Sequence, residues 1–126
     1  MMKYAEITSK VIGCAMKVHS ELGNGFQEYI YQRALEIELS KADLKFIREY
    51  EMPIYYSGDK IGTRIADFFV EGKIMVELKA VSELEAVHLA QAMNYIEASA
   101  QEIGLLINFG AKSLQFKRLH NKKLLS

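Results

Sequence analysis

The spacing of apolar residues changes from a helical to a strand period near residue 45, and this change most constrains the fold. The first stretch has apolar residues at steps of three and four: Ile7, Val11, Cys14, Val18 and Leu22. This pattern predicts an amphipathic helix, which residues 23–25 (Gly-Asn-Gly) should end because they accept left-handed conformations. A second helix is predicted from about Phe26 to Ala42.

After this point the sequence favours strands. Residues 45–56 are rich in aromatic and β-branched types, and residues 57–59 (Ser-Gly-Asp) have the composition of a turn. Pro53 cannot donate a ladder hydrogen bond, so this strand should lie at a sheet edge or be irregular at that residue. Residues 61–70 and 74–80 predict two further strands joined as a hairpin.

A third helix is predicted after Ser82 and Glu85, which have the spacing of a capping box. Its predicted core stripe consists of Ala86, Leu89, Met93, Ile96 and Ala100. Two short strands, 103–108 and 113–119, follow the helix. The order ααβββαββ predicts an α/β fold in which helices flank a mixed sheet.

Length and composition fit a single domain over residues 1–126, since half of the residues are hydrophobic. Sixteen basic residues balance sixteen acidic ones, which argues against a protein that coats nucleic acid through a global positive field. After Glu102 only basic charges occur: Lys112, Lys117, Arg118, Lys122 and Lys123. This tail is interpreted either as a phosphate-facing patch or as a solvated, frayed terminus.

The single cysteine, Cys14, allows no intrachain disulfide and suits a reducing cytoplasm. No stretch approaches the roughly 20 apolar residues of a membrane span, and the N-terminus lacks the apolar run of a secretion signal. The sequence therefore predicts a cytoplasmic protein without membrane association.

Isolated charges in two apolar strands are the candidate functional residues. Glu77 and Lys79 alternate with apolar neighbours, so both side chains point to one face of their strand. Asp67 is the one charge in the apolar segment 65–70 of the preceding strand. A three-residue hairpin turn places Asp67 opposite Glu77, whereas a two-residue turn would place it opposite Val76, on the wrong face.

Two adjacent carboxylates repel each other unless a cation lies between them. A hard divalent ion such as Mg²⁺ or Mn²⁺ suits these oxygen ligands, and Lys79 would lie near an attacking water or a phosphate oxygen. This set fits metal-assisted phosphodiester hydrolysis. The alternative is a structural ion-pair cluster without catalysis.

Several motifs give the sequence a family resemblance. Asp67, nine intervening residues and then Glu77-Leu78-Lys79 resemble the signature of the PD-(D/E)XK nuclease superfamily. Residues 25–31 (GFQEYIY) are similar to the GxxExxY motif of a family of small bacterial proteins within it. The resemblance extends through HSELG at 19–23, QAMNY at 91–95 and LLINFG at 105–110.

The resemblance implies a restriction-endonuclease-like αβββαβ core with an extra N-terminal helix and a C-terminal strand. It implies metal binding by Asp67, Glu77 and the Leu78 carbonyl, with Lys79 as the catalytic lysine. Glu28 would reach the metal from the second helix, directly or through water. Gln91 and Tyr95 match a QxxxY element that holds substrate phosphate. The role of Arg64, three residues before Asp67, stays open.

The outer residues also have plainer interpretations. Glu28 could be a first-turn glutamate favoured by the helix dipole, and Tyr31 is predicted to be a packing residue with a hydrogen-bonded hydroxyl. His88, Gln91 and Tyr95 fall within roughly 60° on the third helix, which indicates a cleft-facing side or an ordinary exposed face. His19 is interpreted as structural.

The leading hypothesis is a Mg²⁺-dependent or Mn²⁺-dependent nuclease, a hydrolase acting on DNA, with RNA as the alternative substrate. The competing hypotheses are a catalytically silent module that binds nucleic acid or protein, and a metal-dependent phosphatase of small substrates. Apolar residues on the first two helices could support a homodimer or a larger complex.

Overall fold

The computed structural model describes residues 4–125, which form an alternating helix and strand pattern close to the prediction. The elements are α1 (Ala5–Leu22), α2 (Glu28–Lys41), β1 (Phe46–Tyr56), β2 (Asp59–Val70), β3 (Ile74–Lys79), α3 (Ala86–Ala98), β4 (Ile103–Asn108), β5 (Gln115–His120) and α4 (Lys122–Leu125). No helix in this range combines the length and the apolarity that crossing a bilayer requires.

The five strands form one mixed sheet in the order β1-β2-β3-β4-β5. β3 and β4 are parallel, and the other neighbouring pairs are antiparallel. The parallel pair needs a crossover connection, which α3 provides. Pro53 lies in β1 at the sheet edge, as predicted, where its missing N–H does not break a ladder. The predicted α/β architecture is confirmed.

Helices cover the sheet on both faces. α1 and α2 pack on one face, where Val76 and Leu78 of β3 join their buried residues. On the other face, Met75 and Leu106 pack with Ile96 of α3. The alternation of side chains along β3 therefore sends Glu77 and Lys79 toward the α3 face.

The predicted start of α3 is wrong. Glu85, not Ser82, is the N-cap, and its backbone N–H donates to His88 Nδ1 at 2.9 Å. The predicted core stripe is wrong at its two ends, because Ala86 is exposed in the first turn and Ala100 lies beyond the helix with a φ of 57°. The helix turns Ala92 and Ile96 into the core.

The basic tail makes specific side-chain contacts in the part that the structure describes. Arg118 of β5 donates from Nε to the Thr8 hydroxyl of α1 at 3.2 Å. Lys123 of α4 pairs with Glu97 of α3 at 3.5 Å. Two of the five basic side chains therefore tie the tail to the helices on opposite faces of the sheet.

Candidate active site

The hairpin of β2 and β3 has the register that the chemistry requires. Val70 pairs with Ile74 and Phe68 with Val76, so the turn has three residues, Glu71–Lys73. Two of them are left-handed, Glu71 with φ 55° and Gly72 with φ 65°. This confirms the longer of the two predicted turns, although the pairing ends one residue before Asp67 and Glu77 would stand opposite each other.

β2 and β3 separate just after this pairing, and Asp67 lies where they part. The paired residues end at Phe68 and Val76, while β2 continues beside β1. Asp67 Oδ2 accepts the backbone N–H of Leu78 at 2.8 Å. Asp67 Oδ1 accepts from Gln32 Nε2 of α2 at 2.9 Å. The carboxylate is thus held from both β3 and α2.

Glu77 is buried beneath α3 with only 4% of its surface exposed. Its Oε2 accepts from Arg64 Nη2 of β2 at 2.9 Å. Glu77 Oε1 and Arg64 Nε are both buried without a hydrogen-bond partner among the described residues. One oxygen of this carboxylate is therefore available to another ligand.

Burial raises the pKa of both carboxyl groups. For Asp67, desolvation outweighs the hydrogen bonds from Leu78 and Gln32, so its pKa lies above the ordinary value. For Glu77, desolvation together with the negative charges of Asp67 and Glu28 raises the pKa to about 7, against the opposing effect of Arg64 and Lys79. Because desolvation and like charge both penalise ionisation, a cation at this position would favour the charged forms.

Lys79 and α3 form a small cavity next to Glu77. The cavity is lined by Arg64, Glu77, Lys79, His88, Gln91, Ala92, Tyr95 and Leu106. It encloses about 10 Å³, near the least volume that one water molecule needs. α3 thus directs the predicted Gln91 and Tyr95 side chains, and His88, to the same space as Lys79. Asp67 lies outside this lining, in the gap between the strands.

Arg64 fills the space between the hairpin and α3. Its guanidinium carbon lies 4.4 Å from the centroid of the Tyr95 ring, within the range of a cation–π contact. The sequence left its role open, and the structure places it against both Glu77 and Tyr95.

α2 approaches the two carboxylates with its first turn. Glu28 is exposed and acts on Glu77 through its charge. In residues 4–125, no three acidic, histidine or cysteine side chains are arranged to hold a metal ion, so Glu28 does not join Asp67 and Glu77 in such a set. Gln32, one turn further along α2, is the residue that contacts Asp67.

Sequence reasoning missed Gln32 and its partner Arg48, which donates from Nη1 to Gln32 Oε1 at 3.3 Å. A signal for Gln32 was present, since it lies four residues after Glu28 and so shares its helix face. Arg48 gave no such signal, because its contact depends on how β1 packs beside α2.

The motif at 105–110 holds the chain that follows Lys79. Asn108 is fully buried, and its carboxamide bonds both the N–H and the C=O of Val81 at 2.9 Å. The Phe109 N–H donates to the Lys79 carbonyl at 2.9 Å. A side chain at Gly110 would have its Cβ 2.4 Å from the Val81 oxygen, so only glycine fits there.

Two other motif residues are structural, as predicted. The Tyr31 hydroxyl donates to the Gly23 carbonyl at 2.6 Å, and its ring stacks on Phe109 at 4.6 Å. His19 Nε2 lies 2.9 Å from the carbonyl oxygen of Ala111, within hydrogen-bonding distance.

The donor set fits a hard divalent cation. Such an ion takes carboxylate and carbonyl oxygens and keeps several waters. Glu77 Oε1 is buried without a partner among the described residues, and burial raises the pKa of both Asp67 and Glu77, so a bound cation would favour their charged forms. A cation bound there would need further oxygen ligands from the backbone, from water or from substrate.

Comparisons with known proteins show the fold and the family of this chain. No curated protein matches the sequence. Among solved structures, an alkaline exonuclease from Laribacter hongkongensis (LHK-Exo) is similar, with a TM-score of 0.54 and 9% identity, over 99% of this chain and 74% of that one. At this identity the likeness shows a shared fold. The family description of the PD-(D/E)XK nuclease superfamily matches residues 5–119, and the chain therefore belongs to the PD-(D/E)XK nuclease superfamily.

Proposed function

We propose that this protein is a nuclease that uses Mg²⁺ or Mn²⁺ to hydrolyse phosphodiester bonds in DNA. One observation carries the proposal: Asp67, at the point where β2 and β3 separate, lies close enough to the buried Glu77 for their charges to interact, both have raised pKa values, and Lys79 lies beside them. Nucleases of this superfamily are generally dependent on divalent metals, which agrees with the donor set. The GxxExxY motif supports assignment to that bacterial family, and the single cysteine suits the cytoplasm.

Asp67, Glu77 and the Leu78 carbonyl would hold the metal, and Glu28, which does not join these two carboxylates in this structure, would contribute through water. The cation would supply Lewis acidity toward the phosphoryl group. Asp67 is already oriented by the Leu78 N–H and by Gln32, so it would need little rearrangement on binding. Such supporting contacts typically govern metal affinity.

Lys79 would act on the reacting atoms through its ammonium group. It lines the cavity and lowers the pKa of both carboxyl groups through its charge. From there it can donate a hydrogen bond to an attacking water or to a phosphate oxygen, and its charge would stabilise the developing negative charge. Gln91 and Tyr95 would hold a neighbouring substrate phosphate.

A cleavage assay tests the proposal. Linear, nicked and single-stranded DNA, and RNA as the alternative substrate, are incubated with Mg²⁺, Mn²⁺ or EDTA. We expect metal-dependent cleavage that falls by at least about 100-fold in Lys79→Ala. Lys73→Ala, in the exposed turn of the same hairpin, is the matched control and should keep full activity. Cleavage that persists in Lys79→Ala or in EDTA would exclude this mechanism.

A second candidate is a catalytically silent module that binds nucleic acid or protein and keeps the nuclease fold. The ion pair of Arg64 with Glu77 favours it, because the guanidinium takes up one oxygen of a proposed metal ligand. Metal binding without cleavage of any substrate would support this candidate over the nuclease.

We also propose a homodimer or a larger complex. Apolar side chains are exposed on the first two helices, among them Met16, Tyr29, Ile30 and Ile37. Sedimentation in solution would measure the assembly state directly.

A further inference from the structure

Arg64 supplies a positive charge inside the candidate active site. Its contact with Glu77 at 2.9 Å joins a guanidinium that is 32% exposed to a carboxylate that is 5% exposed. The Tyr95 ring lies on the other side of the guanidinium. This charge lowers the pKa of Glu77, and it does so more than the charge of Lys79 does.

The pairing between the two side chains is incomplete. An arginine and a carboxylate can form two parallel hydrogen bonds, but here only Nη2 and Oε2 meet. Arg64 Nε and Glu77 Oε1 are left buried without partners in the described part of the chain. A buried polar group without a hydrogen-bond partner is destabilising, so this ion pair is weaker than its burial suggests.

The position of Arg64 also restricts access to Glu77. The cavity that Arg64 helps to enclose has about 10 Å³, which holds one water and no hydrated cation. Arg64 also holds Glu77 Oε2, so a divalent ion that takes up this carboxylate fully would have to displace the guanidinium. The exposed third of the Arg64 side chain leaves a route to solvent for that movement.

We propose that Arg64 is an internal counter-ion that occupies Glu77 whenever no divalent cation does, and that a divalent cation displaces it. This inference rests on the proposed function, because it takes Glu77 as a metal ligand. A guanidinium and a divalent ion on one carboxylate repel each other. Each must then weaken the binding of the other by the same factor. Arg64 therefore sets the metal affinity of the site.

Calorimetric titration with Mn²⁺ and Mg²⁺ tests the competition on wild-type protein and on three variants. Arg64→Gln removes the competing charge, and we expect it to bind Mn²⁺ about tenfold more tightly, equivalent to about 1.4 kcal/mol. Arg64→Lys keeps the charge and should bind within about threefold of wild type, well short of that tenfold gain. Lys60→Gln, an exposed site on the same strand, changes the net charge equally and should leave the affinity unchanged.

A second measurement follows Arg64 in the wild-type protein. Arg64 Nε is buried, so its proton should give a protected NMR signal in the wild-type protein, assigned by its loss in Arg64→Lys. Saturating Mg²⁺ should move this signal toward that of a solvent-exposed arginine.

The outcomes separate this inference from the proposed function. Metal binding by wild type, with equal or weaker binding by Arg64→Gln and an unmoved Arg64 signal, would overturn the counter-ion role and leave the nuclease proposal standing. Tighter binding by Arg64→Gln together with no cleavage by any form would support the counter-ion role and reject the nuclease. Absence of metal binding in every form would overturn both.

Discussion

Glu77 combines the two conditions that make a carboxylate sensitive to its surroundings, deep burial and nearby negative charge. Desolvation is the largest cause of its raised pKa, and Arg64 only partly opposes it. The same conditions make the ionisation of Glu77 sensitive to a bound cation, because a cation stabilises a carboxylate most where water solvates that carboxylate least. Asp67 differs in having both oxygens hydrogen-bonded, which fixes its orientation.

The raised pKa of Glu77 predicts a pH dependence of stability for the protein in EDTA. The folded group binds a proton more readily than the unfolded one, so its stabilising contribution is present below pH 4.5 and is lost as the pH rises through about 7. Between pH 5 and 8 this loss corresponds to about 2–3 kcal/mol. Glu77→Gln lacks the titrating group and should be the more stable form at pH 8 by that amount.

Urea unfolding of both proteins at several pH values measures this difference. The two stabilities should nearly coincide at pH 5 and diverge toward pH 8. Parallel curves across the range would show that Glu77 has an ordinary pKa.

At the scale of elements, the site depends on how β4 ends beside the chain leaving β3. Asn108 bonds both backbone groups of Val81, and its Nδ2 also donates to Gln115 Oε1 at 2.9 Å. Gln115 Oε1 in turn accepts the Leu84 N–H just ahead of α3, also at 2.9 Å. This network links the end of the Lys79 strand to the helix that carries Gln91 and Tyr95, so it sets their separation.

Two glycines on either side of this network provide a matched pair of substitutions. In Gly110→Ala the new Cβ would lie 2.4–2.6 Å from backbone atoms of Ala80 and Val81, which cannot rotate away. In Gly104→Ala it would lie 2.3 Å from Ile96 Cδ1, the end of a side chain that can change rotamer. We expect losses of about 3 kcal/mol for Gly110→Ala and about 1 kcal/mol for Gly104→Ala.

Unfolding in urea gives both values, and the cleavage assay adds a second comparison. Gly110→Ala should also reduce activity, because it moves the chain next to Lys79, whereas Gly104→Ala should not. Equal destabilisation by the two substitutions would contradict the close backbone contact at Gly110.

At the scale of the molecule, the balanced charge leaves little long-range attraction for nucleic acid. Affinity must then come from a few local contacts on the face that holds the site. Lys117 of β5 is directly opposite Leu106 of β4, and paired residues share a face. Because Leu106 lines the cavity, Lys117 is placed on that side. Lys123 also lies there but is paired with Glu97, while Arg118 bonds to α1.

Lys117→Gln should therefore weaken duplex DNA binding in EDTA and reduce the salt slope of log K by about 1. Lys10→Gln, on α1 at the opposite face of the sheet, is the control and should leave the slope unchanged. Filter binding or fluorescence anisotropy between 50 and 200 mM salt, the range over which such contacts are usually resolved, makes the measurement. An unchanged slope in Lys117→Gln would exclude Lys117 from the proposed DNA-binding surface.

The order of helices and strands was determined by sequence, because the hydrophobic period is a local property that each segment carries by itself. The shared face of Glu77 and Lys79 follows from strand alternation in the same way. The prediction was wrong at the start of α3, where two local signals compete. Ser82 and Glu85 both have side chains that can cap a helix, and Glu85 is the N-cap in the structure.

Only the tertiary structure decided the register of the hairpin. A two-residue turn and a three-residue turn both agree with the sequence, but they place the Asp67 side chain on different faces of the sheet. It also decided that Gln32 supports Asp67 and that Arg64 pairs with Glu77. These contacts join residues 35 and 13 positions apart. They depend on the angle at which α2 packs on the sheet and on where β2 separates from β3. No local sequence pattern predicts either feature.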